Sequence, residues 1–363
     1  MRIALLAASL CFLAACAGEV KKNEPAAPVV AATPSPAPVA AITPTPSVTT
    51  SAAAIPPLRP EEKIELFIAE TSKKFNIPEN EIRATLAQAQ YRQSIIDAIT
   101  RPAEAKPWKS YRPIFITDAR INGGRKFMAE HRVELQRVQD RTGVPAEIIV
   151  AIIGVETSYG ANMGNYKVLD ALYTLGFYYP KREAFFSSEL AHLFELSKVE
   201  KFDIQQLKGS YAGAMGWGQF MPSSYLNYAK DGDNDGRRNL FVDLDDVFSS
   251  VANYFVGYGW RKGEPVFVRA SMDGTALPFV PETLEAKYSL AELAQKGYRP
   301  TSNVPDLPAT LLTLDGSEGV EHWIGFNNFY VITRYNRSPL YAMSVYQLAQ
   351  AIAAPASNIP AAQ

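Results

Sequence analysis

Cysteine is almost missing from this chain. Of 363 residues only Cys11 and Cys16 are cysteines, both within the first sixteen positions. That excludes a disulfide scaffold, a cysteine-ligated zinc site and a cysteine nucleophile in the folded body. A surplus of one charge is missing too: 36 Lys+Arg stand against 37 Asp+Glu, a formal net charge of −1. Nucleic-acid-binding proteins usually carry a basic excess, so no nucleic-acid partner is expected. No segment repeats. What the chain does have is 47% hydrophobic residues, enough for a large core, and 18 Tyr, 18 Phe and 4 Trp. Aromatics in that supply suit stacking on sugars or bases, although most of them serve the core.

The first residues read as an export signal. Met1-Arg2 gives a short positive start, and Ile3 to Leu13 is an uncharged apolar run too short to span a bilayer. It ends in Leu13-Ala14-Ala15-Cys16, which resembles the bacterial lipobox, with signal peptide 1–15 and lipidation at Cys16. The plain alternative is an ordinary signal peptide cleaved near Ala15. Ala17 follows the cysteine, which in that sorting pattern favours the outer membrane, with the lipid as anchor and the body facing the periplasm. Residues 25–60 hold ten of the 26 prolines, and no charge falls between Pro25 and Leu58. Such a composition cannot bury a core, so 16–60 reads as a lipidated, extended tether. The folded body is expected at 61–352, followed by a tail at 353–363.

The body reads as mainly α, with a β-rich insert. Glu61–Phe75 has helical spacing at Ile64, Phe67, Ile68 and Phe75. Thr117–Arg141 reads as one long polar helix stopped at Thr142-Gly143, and Pro145 opens an unusually apolar helix over Ala146–Thr157. Further helices are predicted at 182–196, 244–256 and 344–352. Between about 262 and 335 the pattern turns to short strands, with 266–268, 310–312 and 330–332 as candidates.

The run Ile148-Ile149-Val150-Ala151-Ile152-Ile153-Gly154-Val155 leads directly into Glu156. A buried carboxyl resists ionisation, and the negative end of a helix pushes the same way. Gly160 permits a sharp exit that turns the carboxyl to a cleft. Those conditions suit a general acid near neutral pH. The pattern alone leaves open a glutamate that caps its helix or pairs with an arginine. Gly209–Pro222 is rich in glycine, with Trp217 and Phe220 able to stack on a sugar and Gln219 able to bond one.

Glu-Thr-Ser-x-Gly at 156–160, Gly-x-Gly-Gln-Phe-Met-Pro-Ser-Ser at 216–224 and Tyr-Asn at 335–336 occur in the order of the lytic transglycosylases. Ser-Val-Ala-Asn-Tyr-Phe at 250–255 and Ile-Thr-Arg-Tyr-Asn-Arg-Ser at 332–338 resemble the membrane-bound lytic murein transglycosylase B family. The resemblance spans about 60–352. It implies a lysozyme-like helical core with an additional helical domain and a small β domain. It places the acid at Glu156 and groove residues at Tyr111, Ser210, Gln219, Tyr254, Tyr335, Asn336 and Tyr341. A basic pair for the substrate's lactyl and peptide carboxylates falls at Lys181-Arg182. Family members often have two arginines there, and a lysine keeps the charge without the bidentate fork.

Asp231-Gly232-Asp233-Asn234-Asp235-Gly236 matches the start of an EF-hand loop, with oxygens at positions 1, 3 and 5 and then glycine. The usual glutamate at position 12 is Val242. The resembled family closes an enlarged loop with a carboxylate from the next helix. Counting forward gives Asp245, and counting back from Ser250-Val251-Ala252-Asn253 gives Asp246, the preferred choice. The expected ligands of a structural Ca²⁺ are then Asp231, Asp233, Asp235, the Arg237 carbonyl and Asp246. The bland alternative is a turn of solvated charges.

The resemblance implies cleavage of the β-1,4 bond between N-acetylmuramic acid and N-acetylglucosamine in peptidoglycan strands, leaving 1,6-anhydromuramoyl ends. Two other readings compete. A hydrolytic muramidase needs a second carboxylate or the substrate's acetamido group, and a non-catalytic wall-binding lipoprotein needs no acid.

Overall fold

A computed structural model describes residues 58–100, 106–274 and 276–355. The proposed leader, Cys16 and nearly all of the tether lie outside them. In chain order the elements are α1 (Pro60–Phe75), α2 (Glu79–Leu86), α3 (Gln93–Thr100), α4 (Trp108–Phe115), α5 (Asp118–Glu130), α6 (Arg132–Thr142) and α7 (Ala146–Thr157). Then come β1 (Tyr166–Lys167), α8 (Val168–Tyr178), α9 (Glu183–Glu200), β2 (Lys208–Gly209), α10 (Pro222–Tyr228) and α11 (Leu244–Gly257). The last part holds β3 (Phe267–Met272), α12 (Leu290–Gln295), β4 (Tyr298–Pro300), β5 (Thr310–Gly316), β6 (Gly319–Gly325), α13 (Asn327–Tyr335) and α14 (Pro339–Ala353).

The apolar run dictates where α7 sits. Every residue from Ile148 to Thr157 is buried, so no face of this helix meets water. A helix apolar all round must be surrounded, and α5, α6, α11 and α14 pack about it. Helices α1, α8 and α9 form a second helical layer, with α10 against α9.

The insert is an antiparallel sheet in the order β4-β3-β6-β5. Its alternating residues serve two cores. Val268, Ala270, Leu311 and Ile324 join a small core with Leu293, Tyr298 and Phe326. Phe267, Leu312 and Leu314 face the main helical core.

Two sequence expectations need correction. The long helix over 117–141 divides at His131, whose φ of −111° and ψ of 28° end α5 and open α6. Its ring packs at 4.7 Å from Phe127 and 5.7 Å from Phe248, contacts with distant partners that a local pattern does not contain. The β-rich insert does not run to 335, and Tyr330-Val331-Ile332 is helix. Strand structure ends at Gly325 and α13 follows at once. Phe329, Val331 and Ile332 are all buried, and Asn328 fastens the turn before them by donating to the Arg261 and Glu264 carbonyls. Packing on two sides hides the helical period and lets helix form despite β-branched residues.

Candidate active site

Glu156 occupies the penultimate position of α7 and is 5% exposed. The chain leaves the helix through left-handed backbone at Ser158, Tyr159 and Gly160, with φ of 51°, 60° and 80°. Two of these are not glycine and therefore carry strain, which commonly gathers at functional sites. Gly160 cannot be replaced cheaply, because a Cβ there would lie 2.5 Å from the Trp217 ring.

The hydroxyl of Tyr341, near the start of α14, donates to Glu156 Oε1 at 2.6 Å. Burial pushes the Glu156 carboxyl up to about 7, and the Tyr341 bond opposes this only in part. The same burial and the Glu156 charge hold the Tyr335 and Tyr341 hydroxyls well above the phenol range, with Tyr111 adding to the effect on Tyr341. Glu156 therefore acts on Tyr335 and Tyr341, and Tyr111 acts on Tyr341; Glu156, Tyr111 and Tyr341 are buried.

The other wall is the turn at 216–219. Met215 and Phe220 exchange backbone bonds of 2.9 Å and close it. Gly216 has φ +70°, and a Cβ there would meet the Leu240 carbonyl at 2.5 Å. Both carbonyls at the tip are captured: Trp217 O lies 3.0 Å from the Thr157 hydroxyl, and Gly218 O accepts from Tyr335 at 2.6 Å. Gln219, with φ +52°, turns its amide inward to donate to Gly216 O and Met163 O. Ser210 Oγ accepts from Ala212 and Ala214 backbone N–H, shaping the neighbouring strand exit. Tyr254 donates to Arg334 O at 2.6 Å and packs its ring on Tyr335 at 4.8 Å. Asn336 is buried and accepts from Ser338 N.

Lys181 and Arg182 stand on a separate short turn, Pro180–Arg182, between α8 and α9. Lys181 is exposed, and the Arg182 guanidinium lies over the rings of Phe185 at 4.5 Å and Phe186 at 4.9 Å.

In the acidic loop, Asp231, Asp233 and Asp246 each bring a carboxylate oxygen within 4.8 Å of the others. Asp246 is 1% exposed, accepts from Gly232 N and Asn239 N, and is held above the usual carboxylate range by burial and by Asp243 and Asp231. Asp245 turns away to pair with Arg137 at 3.0 Å. Asp235 is outside the group, its Oδ1 accepting from Arg237 N. Three converging carboxylates of one sign fit a hard divalent cation.

Residues 60–350 match the family described as the transglycosylase SLT domain. The chain belongs to that family. The membrane-bound lytic murein transglycosylase B of Escherichia coli (strain K12) is 43% identical over 298 residues, 79% of this chain and 81% of that protein. Catenated lytic transglycosylase SltB1 from Pseudomonas aeruginosa is 47% identical, with a TM-score of 0.77, covering 80% of this chain and 97% of that one. The Escherichia coli lytic transglycosylase Slt35, solved in complex with calcium, is 42% identical, with a TM-score of 0.74 and coverage of 80% and 92%. The fold is thus the lysozyme-like fold of the lytic transglycosylases.

Against this transglycosylase frame, two sequence ideas change. Trp217 stacks on Phe127 at 5.8 Å and donates its indole N–H to Phe241 O, so its ring serves packing. Phe220 is buried between Tyr254 and Tyr335 and offers no platform to a sugar. Sequence reasoning also passed over Thr157, whose hydroxyl accepts from Gly160 N and ties the acid's helix to the turn. The signal was present, since a hydroxyl beside an acid at a helix end is a natural bridge. It passed over the buried Glu189 as well.

Proposed function

We propose that this transglycosylase cleaves the β-1,4 bond between N-acetylmuramic acid and N-acetylglucosamine in murein, with Glu156 as acid and then base. The observation that carries the reading is a buried carboxyl held near pKa 7 beside the Tyr341 hydroxyl. Protonated Glu156 gives its proton to the leaving glycosidic oxygen as the bond to C1 breaks. The resulting carboxylate takes the proton of the muramoyl C6 hydroxyl as that oxygen bonds to C1. A 1,6-anhydro end forms, the carboxyl is regenerated and no water is consumed. The intramolecular attack by the C6 hydroxyl requires no second carboxylate, so one group serves both steps. Tyr111, Ser210, Gln219, Tyr254, Tyr335, Asn336 and Tyr341 line the glycan groove, and Lys181 with Arg182 takes the stem-peptide carboxylates. Mass spectrometry of digested murein tests this: anhydro ends are expected, whereas reducing ends would mean that water is the nucleophile.

Asp231, Asp233 and Asp246 would hold Ca²⁺, with Asp235 and the Arg237 carbonyl completing an oxygen shell. The ion supplies charge neutralisation in the loop, and its role is structural. Among the described residues no helix is long and apolar enough to cross a membrane. Attachment is assigned to a lipid on Cys16, which anchors the enzyme to the outer membrane with its groove facing the periplasm.

A further inference from the structure

The strained exit of α7 is held by a tyrosine that the reaction itself does not use. Ser158 and Tyr159 both have left-handed backbone without a glycine's freedom to adopt it. Such residues persist only where their surroundings over-determine them. Around Tyr159 the surroundings are a cage of glycines. A Cβ on Gly124 of α5 would lie 2.5 Å from the Tyr159 hydroxyl oxygen, and one on Gly154 of α7 would lie 2.6 Å from it. Glycine inside a helix is weaker than alanine, so two helices give up stability to admit one ring. The ring also packs on Phe127 at 5.7 Å.

At the end of that ring the Tyr159 hydroxyl donates to the Arg120 carbonyl at 2.7 Å. The side chain of the same arginine reaches back, and its Nη2 donates to the Ser158 hydroxyl at 3.0 Å. Arg120 thus grips both strained residues, one through its backbone and the other through its guanidinium. That guanidinium also lies 5.3 Å over the Phe115 ring, which packs at 5.3 Å on Tyr111. The grip therefore reaches from the exit of the acid's helix to the helix that carries Tyr111. Glu156 stands only two residues before Ser158. An exit relaxed to ordinary backbone would turn the end of α7 and open the carboxyl to water.

We infer that Tyr159, clamped by Arg120, is a positioning residue for Glu156: it holds the left-handed exit in place, and so fixes where the acid's carboxyl points and keeps water from it. The inference rests on the reading of Glu156 as the acid.

The test is the pH–rate profile of cleavage on purified murein, taken where melting curves show each variant folded. Tyr159→Phe keeps the ring and removes only the bond to Arg120. It should lower kcat about tenfold, because a small misplacement of a catalytic group is costly. Its alkaline limb should move down by about half a pH unit, since water at Glu156 brings the carboxyl back toward its ordinary range. Tyr341 on α14 bonds that carboxyl and Tyr335 on α13 feels its charge, and the substitution alters neither, so a moved limb reports on the helix exit. Gly154→Ala is the second variant. It crowds the Tyr159 hydroxyl from within α7 while raising helix propensity, and it should move the limb the same way. A limb that stays at its wild-type position in Tyr159→Phe would overturn the inference whatever happens to the melting midpoint, because packing alone changes stability and not the acid's titration. With Glu156→Gln inactive, that result would leave the acid reading standing. A fully active Glu156→Gln enzyme would remove both.

Discussion

The chemistry turns on one carboxyl and the water denied to it. Glu156 titrates near 7 instead of near 4.5 because it is buried. Its ionised form is the costly one, so the fold loses stability as pH rises from the ordinary glutamate value to about 7, and the loss is complete above that. Glu156→Gln removes the titration. Melting curves should therefore show the variant gaining on wild type by on the order of 3 kcal/mol between about pH 4 and pH 8. The same variant should lose at least about 10²-fold in cleavage, since an amide neither gives nor takes the proton. Retention of a tenth of the activity would remove Glu156 from the reaction. Tyr341→Phe moves the same titration further up by removing a single oxygen. The lost bond stabilised the carboxylate, so the Glu156 pKa rises. The alkaline limb of the pH–rate profile should move up by about one pH unit, and an unmoved limb would deny the hydroxyl this role.

At the level of elements, α7 was legible from its bounds to its burial because ten consecutive buried residues leave a signature no surface helix has. The acidic loop was legible in part: Asp at alternate positions before glycine marked Asp231 and Asp233, whereas Asp235 falls outside the converging group. The break at His131 and the helix over 330–332 were not legible, because ring packing on Phe127 and Phe248 and burial on two sides come from distant parts of the chain. Glu189 was hidden because its partner, Ser223, lies 34 residues away and nothing in Ser187-Ser188-Glu189-Leu190 marks an inward acid. The loop also yields a test. A cation binding only the native state stabilises it by about 2.7 kcal/mol at a hundredfold excess over Kd. Calcium should raise the melting midpoint and a chelator should lower it, while Asp233→Ala blunts the response without touching Glu156. Equal midpoints with and without calcium in the wild type would reduce the segment to a charged turn.

For the whole molecule, the sequence named residue types for a proposed groove but not the network they form. Tyr335 was expected at the glycan, and the structure makes it the donor to Gly218 O. Ser210 was expected to meet the sugar, and its oxygen accepts two backbone N–H groups. Those bonds depend on neighbours that only the folded chain supplies. The tether carries a prediction of its own. Cys16→Ser should move the enzyme from the membrane to the soluble fraction with cleavage unchanged. A variant that still sediments with outer membranes in high salt would require another anchor.

The bond from Tyr341 to Glu156 joins residues 185 positions apart. The acid is therefore made long before it can meet its partner, and α7 stays without its α14 neighbour until Tyr341 and the helix that carries it are free to fold. A nascent or truncated chain thus holds the acid yet lacks the enclosure that makes it one. Competence is thus written into topology: the carboxyl becomes an acid only as α14 docks.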